Sequence, residues 1–133
     1  MWILAGGAVA GAWASPAGGD PARGERVFQR CFACHSVVAG EDKLPGPNLR
    51  GVLDRRAGTR PGFRFSPAMI EAGARGLLWT RATLDAYLAD PERFLPGTEM
   101  TMPGLGLAVD RQDVIYYLEQ SGPIISPTYR RTP

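Results

Sequence analysis

The sequence predicts an all-α fold, four or five short helices joined by long loops, and three observations carry that expectation. Gly 17 and Pro 12 are high counts for 133 residues, and they interrupt any long periodic run. Helix starts are written at Asp20-Pro21, at Ser66-Pro67 and at Thr80, the first two as an N-cap followed by proline in the first helical position. The period-two alternation that a half-buried strand requires is scarce. The length suits one domain, and 44% apolar residues allow a packed core. A domain this small with long loops is helped by a covalent staple, and a bound cofactor serves as one.

Residues 1–14 carry no charge and are mostly apolar. They are expected to be a secretory signal, with Ala12-Trp13-Ala14 as the cleavage motif before Ser15. The stretch is too short to span a bilayer as a helix. An uncleaved N-terminal membrane anchor is the rival reading. Residues 15–133 then form the domain, with its core over 20–122 and a loose tail over 123–133.

The first helix should run from Asp20 to about Arg30 and carry Val27 and Phe28. Residues 36–66 read as loop, broken by glycines and prolines from Gly40 to Gly62. Ser66-Pro67 opens a short helix to about Ala72, which Gly73 and Gly76 end. Thr80 caps a helix over Arg81–Ala89 with an apolar stripe of Leu84, Tyr87 and Leu88, and Pro91 stops it. Residues 91–109 are expected to be loop. Asp110 with Asp113 resembles a capping box, and Val114, Ile115, Tyr117 and Leu118 make one face of the last helix, which ends at Gly122-Pro123. No internal repeat or second domain is visible.

The charge balance is nearly even. Lys+Arg 15, with Lys43 the one lysine, face Asp+Glu 13, for a net +2. That is weakly basic and does not suggest nucleic-acid binding, which shows a strong basic patch.

The chemistry is concentrated in Cys31-Phe32-Ala33-Cys34-His35. A disulfide, a thioredoxin-like pair, half a zinc site and haem attachment all use C-x-x-C. A structural zinc site needs about four ligands, and this chain offers Cys 2 and His 1. A thioredoxin-like pair wants a βαβ context that is missing. A histidine directly after the second cysteine favours haem c. Two thiols at this spacing each add to one vinyl group of a single porphyrin, and the next residue then sits below the iron. Cys31 and Cys34 are therefore the expected thioether positions and His35 the expected proximal ligand, for one covalent haem c. Two propionates and the iron bring the net charge to about +1 ferric and about 0 ferrous.

The sixth ligand follows by elimination. His35 is the only histidine, so bis-His ligation within the chain is excluded. Methionine is the usual partner in such sites. Met69, Met100 and Met102 are the candidates once Met1 is set aside with the leader. Met100 is preferred because Pro96-Gly97-Thr98-Glu99-Met100 is a rigid loop between two helices. Loop methionines are also ordinary gap-fillers, and an open or labile site would suit a ligand-binding sensor instead.

With these motifs in view, the sequence resembles the class I cytochromes c, of the mitochondrial and bacterial cytochrome c2 type, over roughly Asp20 to Ser121. The stretches that carry the resemblance are CFACH at 31–35, GPNLRGVLDRRAG at 46–58, LLWT at 77–80, TLDAYLADP at 83–91, PGTEM at 96–100 and DVIYYL at 113–118. The resemblance implies a cytochrome c fold around the haem, with His35 and Met100 on the iron and the Pro47 carbonyl on the other ring nitrogen of His35. It implies Arg55 and Trp79 on the propionate side, Tyr87 near the methionine ligand and Thr98 beside it. The first and last helices would cross near Gly24, Phe28 and Tyr117. The run of Arg50, Arg55, Arg56, Arg60 and Arg64 equally suits a solvated face.

The sequence departs from the family where Phe65 stands for a frequent tyrosine and Met69 for a frequent asparagine. The lysine ring of many relatives is mostly absent. Arg30 and Arg93 mix with Glu92 and Glu99, and the apolar Met102, Leu105 and Leu107 stand nearby. For Leu105 and Leu107, exposure at the haem edge and burial against the haem both fit.

The resemblance implies a periplasmic one-electron carrier rather than an enzyme, a monomer that makes peripheral contact with membrane complexes. Its partners would be a bc1-type reductase and a terminal oxidase or photosynthetic reaction centre. The alternatives are a ligand-binding or sensor cytochrome with a labile methionine ligand, and a membrane-tethered subunit of a redox complex.

Overall fold

The computed structural model describes residues 19–122, so the expectations for residues 1–14 and for the tail 123–133 lie outside it. Among the described residues five helices follow one another: α1 (Pro21–Phe28), α2 (Pro67–Ala74), α3 (Arg81–Ala89), α4 (Pro91–Phe94) and α5 (Ala108–Gln120). The all-α expectation holds. The one β feature among the described residues is an isolated bridge between Arg56 and Leu78.

The caps read in the sequence form as expected. The Asp20 carboxylate accepts from the backbone N–H of Ala22 and Arg23, at 2.9 and 3.1 Å. Ser66 caps α2 through the Met69 N–H. Thr80 and Thr83 make a reciprocal capping box at α3. Helix α1 ends at Phe28, two residues earlier than expected. The chain then continues as hydrogen-bonded turns, with Cys31 N–H donating to the Phe28 carbonyl and His35 N–H to that of Cys31. These turns carry the Cys31–His35 motif.

Three boundaries differ from the sequence reading. Gly73 does not end α2 but lies buried inside it. A Cβ at Gly73 would overlap the Ala57 carbonyl, so the glycine lets α2 lie against that backbone. Residues 91–109 are not all loop. Pro91 stops α3 and then opens α4, whose N–H at Arg93 is capped by Asp90, because proline is at home in the first turn of a helix. Helix α5 begins at Ala108, before the supposed capping box. Leu107 stands at its N-cap without a side-chain acceptor, which costs about 1 kcal/mol relative to Ser, Thr, Asn or Asp.

The two acids of that supposed box have other partners. Asp110, in the first turn of α5, faces Arg30 at 3.6 Å. Asp113 is 2% exposed at the α1–α5 crossing. It accepts from the Asp20 N–H and from the Arg23 Nε, both at 2.8 Å. Beside it Gly24 is buried, and any Cβ there would overlap the Asp113 carbonyl. Phe28 and Tyr117 pack at 5.4 Å between ring centroids. The expected crossing near Gly24, Phe28 and Tyr117 is therefore present.

The Arg23 hydrogen bond, reinforced by the Asp20 N–H, holds the Asp113 carboxyl below the usual carboxylate range against the opposing effect of desolvation. A depressed folded-state pKa stabilises the fold above the unfolded pKa, and that contribution is lost as pH falls through the folded pKa. Asp113→Asn is expected to lower stability at pH 7 by about 1–3 kcal/mol. The gap between variant and wild type should close as pH falls below about 4. Denaturant titrations at several pH values check this, and a gap that stays constant to low pH would contradict it.

Candidate functional site

The helices and loops enclose a cavity of about 450 Å³ whose wall includes Cys31, Cys34, His35, Trp79, Tyr87 and Met100. Pockets of this size suit a compact organic group. The wall is largely apolar, with Phe28, Val52, Leu84, Leu88 and Leu118 contributing from different segments. Arginines at 30, 55, 56 and 60 and one carboxylate, Glu99, also line it. The two cysteines are not joined as a disulfide, and Cys31 is half-buried while Cys34 is exposed. Burial pushes the Cys31 thiol up.

His35 is oriented by a second bond. Its Nδ1 lies 2.7 Å from the Pro47 carbonyl. A carbonyl only accepts, so Nδ1 carries the proton and Nε2 keeps its lone pair. Burial lowers the His35 pKa, against a smaller opposite effect of the Pro47 bond. The ring is thereby held in its neutral, metal-ligating form, and its basicity is raised by the carbonyl.

The loop behind it is fixed from both sides. Gly46 N–H donates to the Cys34 carbonyl at 2.8 Å, and a Cβ on Gly46 would strike the His35 ring. Asn48 is 2% exposed. It donates to the Val38 and Glu41 carbonyls at 2.7 and 3.1 Å and accepts from Arg50 N–H. Sequence reasoning gives Gly46 and Asn48 no role beyond membership of the GPNL run. The signal that could have found them is a glycine and a polar side chain flanking Pro47.

The methionine side is built differently. Tyr87, on α3, is buried and shares a 2.6 Å hydrogen bond with Thr98. Thr98 in turn accepts from the Met100 N–H at 3.3 Å. The rigid helix therefore holds the Met100 loop through two side-chain oxygens. Burial pushes the Tyr87 phenol up, partly offset by its Thr98 bond. Farther along, Leu105 N–H donates to the Leu88 carbonyl at 2.7 Å, closing the loop back onto α3. Met69 and Met102 also line the cavity, and both are half-buried against the core.

Arg55 and Trp79 share one wall. The Trp79 N–H donates to the Arg55 carbonyl at 2.9 Å, and the Asp54 N–H to that of Trp79 at 2.8 Å. The Trp79 ring is buried and packs on Tyr87 at 5.1 Å. The Arg55 guanidinium donates to the carbonyls of Asn48 and Arg50. Desolvation, and then the nearby Arg60, lower its pKa. Arg56 and Arg60 belong to the arginine run that suits a solvated face, yet both reach the cavity, and Arg60 is held there by Asp42 at 2.7 Å.

The residues present fit a porphyrin: paired cysteines, an imidazole with its Nε2 lone pair free, methionine thioethers, largely apolar side chains and four arginines line one cavity. The fit is matched by similarity to known proteins. The family model described as cytochrome c matches residues 21–122. Cytochrome c2 iso-2 of Rhodospirillum centenum is 42% identical over 118 residues, covering 79% of this chain and 98% of that one. The structure of cytochrome c2 from Rhodospirillum centenum superposes with a TM-score of 0.75 at 43% identity, over 79% of this chain and 100% of that one. Cytochrome cH from Methylobacterium extorquens superposes at 0.70 with 40% identity, over 77% and 99%.

The Tyr87–Thr98 bond should set the stiffness of the Met100 loop. Tyr87→Phe is expected to cost about 1 kcal/mol and to speed hydrogen exchange at the Met100 amide. Amide exchange by NMR checks this. Unchanged protection at Met100 would show that the loop is held by something else.

Proposed function

The chain belongs to the cytochrome c family, with one haem c attached through Cys31 and Cys34, and from that premise we propose that it is a periplasmic one-electron carrier whose iron is held by His35 and Met100. The family's members are electron carriers and not enzymes. The bound haem supplies an iron that alternates between Fe(II) and Fe(III).

The observation that carries the ligand assignment is the pairing of two anchored donors on one cavity. His35 is set by the Pro47 carbonyl at 2.7 Å, and Met100 by Thr98 and Tyr87. Met102 lines the same cavity but follows Met100 by two residues, beyond that anchor. A filled sixth position leaves no place for substrate, which suits shuttling. The apolar wall excludes water, and loops held by fixed hydrogen bonds need little rearrangement when the iron changes charge.

Arg55 supports a propionate by its place on the wall, with its remaining donors turned to backbone carbonyls. Trp79 packs the same side. The carrier shuttles electrons between membrane redox complexes; a bc1-type reductase as donor, and a terminal oxidase or photosynthetic reaction centre as acceptor, are the proposed partners of a monomer. No helix among the described residues is long and apolar enough to cross a membrane.

Met100→Ala is expected to abolish the near-infrared S–Fe charge-transfer band, lower the reduction potential and open the iron to small ligands. Met102→Ala should do none of these. Loss of the band in the Met102 variant with retention in the Met100 variant would move the ligand two residues.

A further inference from the structure

We propose that Arg60 joins Arg55 in binding one propionate of the haem, the two guanidiniums sharing a single carboxylate. The proposal rests on the carrier reading above and deepens it, because that reading gives Arg60 no role.

The arginine run divides by burial and by partner. Arg50 donates to the Ser121 carbonyl at 3.2 Å. Arg64 is exposed, and Arg56 lines the cavity but is also exposed. Arg55 and Arg60 line the cavity and are half-buried. A cation taken out of water is costly unless an anion or hydrogen bonds compensate it. Among the described residues Arg55 makes no ion pair. Its bonds go to the neutral carbonyls of Asn48 and Arg50.

One loop holds both guanidiniums. Arg55 donates to the Asn48 carbonyl, and the Asn48 amide donates to the Glu41 carbonyl at 3.1 Å. Asp42, next in the chain, accepts from Arg60 at 2.7 Å. The two cations are near enough to repel. After desolvation, the charge of Arg60 is what lowers the Arg55 pKa, and Arg56 has no such effect. Two like charges held together on a largely apolar wall call for an anion between them.

The chain does not supply that anion. Glu99 is the one carboxylate lining the cavity, and it is exposed on the Met100 loop. Arg30, the fourth arginine of the wall, already faces Asp110 at 3.6 Å. Asp42 takes one of the five N–H donors of Arg60. Its own side chain is 46% exposed, whereas that of Arg60 is 22% exposed. The neighbouring side chains add no competing donor. Thr59 gives its hydroxyl to the Arg56 carbonyl at 2.6 Å, and Phe63 and Phe65 pack edge to face at 4.8 Å. The haem brings carboxylates of its own. A propionate between Arg55 and Arg60 stays ionised, and the paired cations offset its preference for ferric iron. Arg60 therefore raises the reduction potential.

The test uses the haem-loaded ferrous protein with carbon-13 at both propionate carboxyls, followed by NMR against pH. In the wild type one carboxyl should remain ionised at pH about 4, where an ordinary one is half protonated. Arg60→Gln should raise the midpoint of that carboxyl by about one pH unit, a tenfold loss of acidity. Arg60→Lys keeps the charge without the fork and should raise it by less. Arg64→Gln should move neither propionate. Arg60→Gln should also lower the potential at pH 7 while keeping the near-infrared S–Fe band, which separates a lost charge from a disturbed iron site. A wild type that fails to cycle reversibly by one electron would overturn the carrier reading itself. Reversible cycling with both wild-type propionates titrating in the ordinary carboxyl range would overturn the role of Arg60 alone. So would an unchanged midpoint in whichever Arg60 variant loads haem, or an equal shift in Arg64→Gln.

Discussion

The fold is organised around a cavity it cannot leave unfilled. Left empty, a cavity of about 450 Å³ would open its largely apolar lining to water, and that lining would forfeit the burial that stabilises a small core. The residues around it are the core: Phe28, Val52, Trp79, Leu84, Leu88 and Leu118 both line the cavity and belong to the buried cluster. Helices of four to thirteen residues have too little mutual contact to replace that centre. The cofactor is thus a structural member as well as the redox group, and its two thioethers keep it in place in both oxidation states.

The two sides of the cavity are held by different means, and the difference suits their tasks. The His35 side is a network of short local links: Gly46 to Cys34, Pro47 to His35, and Asn48 to Val38 and Glu41. It fixes the tautomer and the direction of one lone pair. The Met100 side hangs from α3 through Tyr87 and Thr98, and α3 in turn packs on α5. Helix α5 is anchored to α1 by the buried Asp113 and by the close approach at Gly24. Helix α1 leads directly into Cys31. The chain therefore forms a closed circuit that starts and ends at the cavity, and loosening the α1–α5 crossing would reach both His35 and Met100.

Much of this was legible in the sequence. The cap residues Asp20, Ser66 and Thr80 act through a local hydrogen bond, so their helices begin where the sequence places them. Pro47 sits in a stiff run and its carbonyl meets His35 Nδ1, and Met100, in another, lines the same cavity. The missed α4 is local, a proline in the first turn behind the Asp90 cap, but the other errors depend on a distant neighbour. Gly73 ends a helix by propensity but is retained within one because the Ala57 backbone lies against it. Asp110 and Asp113 have the spacing of a cap, yet one faces Arg30 and the other is buried against Arg23. Leu105 and Leu107, two residues apart, fall on opposite sides of the surface because Leu105 bonds back to α3. No local rule separates them.

The claim that the cofactor completes the core is tested most directly by withholding it. In the double variant Cys31→Ala with Cys34→Ala, purified without haem, far-ultraviolet circular dichroism on heating should show little helix and no cooperative transition. The haem-loaded wild type should keep both. A haem-free variant with the wild type's helical signal and a sharp melting transition would show that the chain packs a core by itself, and would contradict a structural role for the cofactor.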